Sequence, residues 1–252
     1  MVTLFNAIIY RPLYNGLVGI MDIIPGIDVG IAVIIFTIIV RFILFPLSKS
    51  ALLTQVRMKA IEPEVNKIKS QFSNDRQTQA MKTMELYKSH KIRPFSGILL
   101  LFIQLPILLA LISVFYKIIP TVDASLLYSF IHVPIAKPTL LGLDLTSKSL
   151  ILALVTAIAQ YFQLHFSVAA RQQKSMAEMT IKNGGTLDRP SQLANSMNTQ
   201  MKFLLPIVAF VSVYWLIPSR FPQAASIIAI YWSVSTLFTL FQEIYIKKRH
   251  LS

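Results

Sequence analysis

The sequence predicts an all-α fold: a polytopic membrane protein with five transmembrane helices and a cytoplasmic helical hairpin. Three observations lead there. Hydrophobic residues fill 54% of the 252 positions and charged residues only 14%, with a mean hydropathy of +0.61, a composition that belongs to integral membrane proteins and not to soluble globular domains. Five apolar stretches follow one another at 27–47, 97–119, 150–168, 203–217 and 224–246; a helix rising about 1.5 Å per residue crosses a hydrocarbon core of about 30 Å in roughly 20 residues. The fourth of them is short. The basic residues, finally, collect in alternate connecting segments, which sets a topology.

Residues 1–26 are apolar but interrupted by Arg11, Pro12, Gly16 and Pro25. Phe5, Ile8, Ile9, Leu13, Leu17 and Ile20 recur at helical spacing, which predicts an amphipathic helix lying in the outer interface as an anchor. A basic leader and a small-residue cleavage site are not evident in this stretch, so no removable signal peptide is expected.

The first span, 27–47, contains FTIIVRFILFPL and within it a full positive charge, Arg41. Counted back from Ser48 it lies seven residues inside, about 10 Å deep at helical rise. A charge there costs about 2.5–3.5 kcal/mol on insertion scales. Two readings account for it. Its long stem can carry the guanidinium to the headgroups, or it faces a water-filled cavity between helices and attracts acidic parts of whatever passes.

The segment 48–96 carries ten Lys and Arg against Glu62, Glu64, Asp75 and Glu85, an excess that places it in the cytoplasm. Leu52, Val56, Ile61, Val65, Ile68 and Phe72 predict one helix, bent or restarted at Pro63, and Ala80, Met81, Met84 and Tyr87 a second after the turn Ser73-Asn74-Asp75. Together they form the hairpin. In the second span Gln104 is polar and Pro106 frees a carbonyl. The loop 120–149 balances Lys137 and Lys148 against Asp123 and Asp144, as expected outside, and its Leu126, Leu127, Phe130 and Ile131 suggest a short interfacial helix. The third span carries Gln160, Gln163 and His165; a basic, Gly- and Asn-rich loop with Arg171, Lys174, Lys182, Arg189 and Lys202 follows and belongs inside. Spans four and five join through a tight outer turn holding Arg220 and Pro222, and the chain closes on a short basic cytoplasmic tail, 247–252. The result is an N-out, C-in topology in a plasma or inner membrane.

Several classes of chemistry find no support. The sequence contains no cysteine, hence no disulfide, thiol nucleophile or thiolate metal site. His165 has no second ligand at metal spacing. P-loop, metalloprotease and serine-elbow motifs and paired membrane carboxylates are missing, so neither a covalent catalytic step nor a cofactor is expected. The net charge of +13 is taken up by membrane-flanking loops that meet anionic lipid, and direct DNA binding is not expected. What remains is Arg41, with Thr37 one turn earlier, and the polar residues that other spans supply: Gln104, Gln160, Gln163, Tyr231, Trp232, Ser233, Ser235, Thr236 and Gln242. If they converge, they make a hydrophilic groove half-way into the bilayer, which lowers the cost of carrying a polar segment part of the way across.

In their order, the blocks FTIIVRFILFPL, MKTMELYKSHKIRP, FIQLPILLAL, LLPIVAF with a following Pro218-Ser219, and YWSVSTLFTLFQ resemble the YidC/Oxa/Alb membrane protein insertases over about Leu13 to Arg249. The resemblance implies a five-span core with a cytoplasmic helical hairpin that inserts proteins arriving from the ribosome, alone or beside the Sec translocon. It matches Arg41 to the groove arginine, and Thr37 and Trp232 to positions lining the substrate path. Arg93 stands where the family usually has Asn before the proline, Ser96-Gly97 where it has a Gly pair, and Arg220 where a Gly usually follows Pro-Ser. The resemblance also implies nascent membrane proteins, the ribosome, the signal-recognition pathway and the lipid bilayer as partners. Members of Gram-negative bacteria carry a large extracytoplasmic domain, which is not expected here. Two other classes fit the residues alone: a transporter of small solutes or anions that uses Arg41 as its binding charge, though no inverted repeat is evident, and a scaffold subunit of a membrane complex.

Overall fold

A computed structural model describes residues 2–92, 96–118, 122–166, 200 and 202–250 of the chain. The protein is mostly helical, with two compact units: Met1–Ile43, Ile103–His165 and Thr199–Leu240 form the first, and Leu44–Phe102, Phe166–Asn198 and Phe241–Ser252 the second. Of the basic loop expected between the third and fourth spans, all but 200 and 202 lies outside the described residues, as does Arg93.

In the first unit, a short helix α1 (Val2–Phe5) and a π-helical turn (Asn6–Tyr10) lead into α2 (Arg11–Ile23). Pro12 falls in the first turn of α2, where a missing N–H is least costly. Tyr14, Leu17, Val18 and Met21 are buried, and so is Asn15, 2% exposed. Asn15 ties this helix to the loop that follows residue 122: Nδ2 donates to Leu126 O at 2.9 Å and Oδ1 accepts from Tyr128 N at 2.7 Å. Arg11 Nε also donates to Leu126 O, and Asp123 N donates to the Tyr14 hydroxyl.

Helix α3 (Val29–Ile43) buries Val29, Ala32, Val33, Phe36 and Val40 and exposes Ile38, Ile39, Phe42 and Ile43, an inward stripe at helical period with an apolar outer face. It packs on α2 where Gly16 leaves room: a Cβ there would come within 2.9 Å of the Phe36 ring. The sequence led us to expect an unbroken helix over 27–47. Instead α3 ends at Ile43 and α4 (Phe45–Ala60) begins after a turn at Leu44, because Pro46 has no N–H to donate to the carbonyl of Phe42.

The loop from 122 to 149 also departs from expectation. A single 3₁₀ turn, Ala124–Leu126, stands where a short interfacial helix was anticipated, capped by Asp123, which accepts from Ser125 N. A two-stranded antiparallel ribbon follows, β1 (Thr139–Leu140) with β2 (Leu143–Asp144), so the fold is not wholly α. Its turn residues Leu141 and Gly142 both have positive φ, 50° and 87°, as in the type I′ turns that suit two-residue hairpins. The ribbon packs against α3, where a Cβ on Gly30 would lie 2.6 Å from Leu140 Cβ.

Helix α7 (Ser96–Ile118) carries Pro106 and buries Ala110, Leu111, Val114, Phe115 and Ile118 in the first unit. Helix α8 (Leu150–Phe166) meets the last helix, α10 (Ala225–His250), through Thr156, whose Oγ1 lies 2.9 Å from Ser233 Oγ. Helix α9 spans Lys202–Arg220 and runs straight through Pro218, where the sequence predicted an end near Ile217. A π-helical stretch, Ser212–Leu216, explains it: Ile217 N–H already donates to Ser212 O, so the hydrogen-bond ladder has shifted register before the proline is reached.

The second unit contains α4, α5 (Glu62–Gln71) and α6 (Arg76–Ser89). Pro63 restarts the helix as predicted, in the first turn of α5. Asp75 caps α6 by accepting from Gln77 N and Thr78 N. Ile61, Val65 and Ile92 form a small core with Met58, Leu86 and Tyr87 against it. Lys91, at φ 53°, takes the left-handed conformation that lets Ile92 N–H return to Tyr87 O at 2.8 Å.

Lys202–Arg220 and Ala225–Ile246 are long and apolar enough to cross a membrane, and Val29–Ile43 with Phe45–Met58 adds a third if taken as one broken span. Phe102–Ile118 and Leu150–Phe166 are apolar but shorter.

Candidate functional site

Within the first unit, α3, α7, α8, α9 and α10 enclose a cavity of about 330 Å³. Helix α10 supplies half of its wall through Ile228, Tyr231, Trp232, Ser235, Thr236 and Thr239, residues three or four apart that lie on one helical face. Arg41 enters from α3, Gln104, Leu108 and Ile112 from α7, Gln163 from α8 and Ile217 from α9. Aliphatic side chains thus surround a cation and a set of amide and hydroxyl groups, and none of the described wall residues is acidic.

Tyr231 is the centre of this polar set. Only 5% exposed, its hydroxyl accepts from Gln104 Nε2 at 3.0 Å and interacts with the guanidinium of Arg41. Its ring rests against Phe115, centroids 6.1 Å apart. On the other side Trp232 Nε1 donates to Gln160 Oε1 at 3.3 Å, and Gln160 Nε2 reaches Gln163 Oε1 at 3.4 Å. Thr239 Oγ1 donates to Ser235 O. Ser235 Oγ, on the cavity wall and buried, has no hydrogen-bond partner among the described residues. A buried hydroxyl left unpaired is costly, and a polar guest or water in the cavity would satisfy it.

Seven of the eleven residues gathered from the sequence therefore line the cavity: Arg41, Gln104, Gln163, Tyr231, Trp232, Ser235 and Thr236. Gln160 stands behind them and orients Trp232. The other three are not among its described lining residues. Thr37 is fully buried and its hydroxyl donates to Val33 O at 2.6 Å within its own helix, so it presents nothing to the cavity. Gln242 belongs to the second unit, where its amide bonds Ser48 Oγ at 2.7 Å and Phe45 O at 3.3 Å; that fastens α10 to the start of α4. Ser233 is likewise spent on Thr156. Thr239 was missed, although its place four residues after Ser235 on a polar face of α10 would have found it.

The family model described as the 60Kd inner membrane protein matches residues 20–252. A membrane protein insertase YidC of Fusobacterium nucleatum subsp. nucleatum is 31% identical over 223 residues, 87% of this chain and 86% of that protein. Its namesake from Clostridium tetani is 30% identical over 224 residues, 89% of this chain and 84% of that protein. A longer YidC from Wigglesworthia glossinidia brevipalpis matches 87% of this chain with 33% of its own length, at 27% identity. The chain belongs to the 60Kd inner membrane protein family, that of the YidC/Oxa/Alb insertases.

Proposed function

We propose that this chain inserts proteins into a bacterial-type inner membrane, taking the short hydrophilic tail of a nascent membrane protein into the cavity and releasing its apolar segment into the bilayer. The observation that carries the reading is the cavity itself: one cation and several amide and hydroxyl groups inside helices whose outer faces are apolar. Water and these side chains would lower the cost of a polar segment at that depth. Arg41 would draw acidic tails, and the apolar segment, once in lipid, supplies the driving force, so no nucleotide is required.

In this reading α3, α7, α8, α9 and α10 are the five spans, with the N-terminus outside and the C-terminus in the cytoplasm. The basic segment 48–96 is then the cytoplasmic hairpin, which meets the ribosome, the signal-recognition pathway or the incoming chain, with the Sec translocon as a further partner. Residues 1–26 lie in the outer interface. A cavity cation would also serve the transport of a small anion; the similarity to membrane protein insertases favours insertion. Arg41→Ala tests the reading. Insertion of substrates with acidic tails should fall at normal protein levels, and unchanged insertion across several such substrates would remove the cavity charge from the mechanism.

A further inference from the structure

A second cavity, of about 370 Å³, lies at the end of α9 in the first unit. It shares Ile112, Ile217 and Ile228 with the first cavity, and Leu216, itself exposed, completes its aliphatic lining. The polar groups are confined to the end of the helix. Of these, Ser219 Oγ already donates to Leu216 O at 2.7 Å, and Phe221 N–H to Ile217 O at 2.7 Å. Arg220 is exposed, and it takes part in none of the salt bridges formed among the described residues. Among the described residues its guanidinium thus has no acidic partner, and its fork of donors can serve a ligand. Phe221 meets Tyr116 edge-on, centroids 6.0 Å apart, an aromatic pair of the kind that marks the depth of lipid headgroups at the end of a span.

We propose that this cavity seats one anionic phospholipid, with acyl chain against Ile112, Ile217 and Ile228 and phosphate against Arg220. Charge complementarity selects the headgroup, and the aliphatic wall selects the tail. A peptide is a poorer occupant, because its backbone N–H and C=O groups would need partners that a wall with Ser219 and Phe221 N–H already engaged does not offer. Free phosphate would use Arg220 but leave the apolar interior without a guest. The inference does not depend on the insertase reading: it asks only that α9 end at a membrane surface.

The test is native mass spectrometry of the full-length protein, released from detergent after titration with phosphatidylglycerol or phosphatidylcholine. The wild type should retain one phosphatidylglycerol in preference to phosphatidylcholine. Arg220→Gln should weaken that retention about fivefold, the share of one basic residue in attraction to anionic lipid, and Arg220→Lys should keep most of it. Lys137→Gln removes an exposed charge elsewhere and should change nothing, and inorganic phosphate should not displace the lipid. Wild-type retention by Arg220→Gln, an equal loss in Lys137→Gln, or displacement by phosphate alone would each overturn the assignment. Arg220 is exposed and outside the core, so its variants should elute as the wild type does in size exclusion. The cross-check with Arg220→Lys separates loss of charge from loss of fold.

Discussion

Replacing Arg41 changes one charge in a wall whose described residues include no acidic member, so its effect can be worked out in advance. A carboxylate at about 4 Å from a guanidinium gains about 1 kcal/mol in water and about 4 kcal/mol near a protein surface. Arg41 is half-buried, between those limits, and one acidic residue in a substrate tail should gain about 1.4–2.8 kcal/mol, a ten- to hundredfold preference. Arg41→Gln should remove that preference and Arg41→Lys should keep most of it. The fold should not suffer, since taking a charge out of a span relieves a cost of about 2.5–3.5 kcal/mol. The assay is insertion of a single-span substrate into vesicles containing purified protein, read as the fraction protected from protease, with tails that differ only in charge. Acidic tails should lose at least about tenfold in Arg41→Gln by the same arithmetic, while neutral tails stay near the wild type. Equal loss for acidic and neutral tails would refute electrostatic attraction, and so would no loss for either.

Other predictions test the parts that hold the cavity and its surroundings. Tyr231→Phe and Gln104→Leu, alone and together, should show a coupling of about 1 kcal/mol in detergent unfolding, since the 3.0 Å bond links them; additive effects would contradict it. Asn15→Ala removes bonds to Leu126 and Tyr128 from a buried side chain and should cost about 2–4 kcal/mol, with faster proteolysis in 122–149. Asp75→Ala should speed hydrogen exchange at Gln77 and Thr78, whose amides its carboxylate accepts. Its hydrogen bonds to Thr78 hold that carboxyl below its ordinary pKa of 3.8. The capping contribution is therefore complete above that value and lost as pH falls through the lower folded-state pKa, so acid should reproduce the effect of the mutation.

Arg41 was legible because a charge in an apolar run has no explanation in composition, and the glutamines of α7 and α8 stood out in the same way. Thr37 does not face the cavity because a hydroxyl one turn from Arg41 can satisfy itself on its own helix, as it does at Val33 O. Gln242 misled because the polar face of α10 continues past the cavity, and only the packing shows that this amide serves Ser48 and Phe45. The break at Leu44 had its signal in Pro46, which the length of the apolar run outweighed. The continuation of α9 through Pro218 had none: the π-helical turn that permits it, Ser212–Leu216, leaves no mark in residue type. Nor does a sequence announce that Leu141 will adopt positive φ.

Occupancy of this cavity by a nascent chain is tested by a photo-crosslinking residue in place of Trp232. Ribosomes stalled on membrane-protein chains of increasing length would be presented to the variant in membranes, alongside Trp215, exposed on α9 and not among the wall residues, replaced in the same way as a control. An adduct at position 232 should appear once the first span of the substrate has emerged, with none of comparable yield at 215. Absence of an adduct at every chain length, in a variant that folds and reaches the membrane normally, would contradict it.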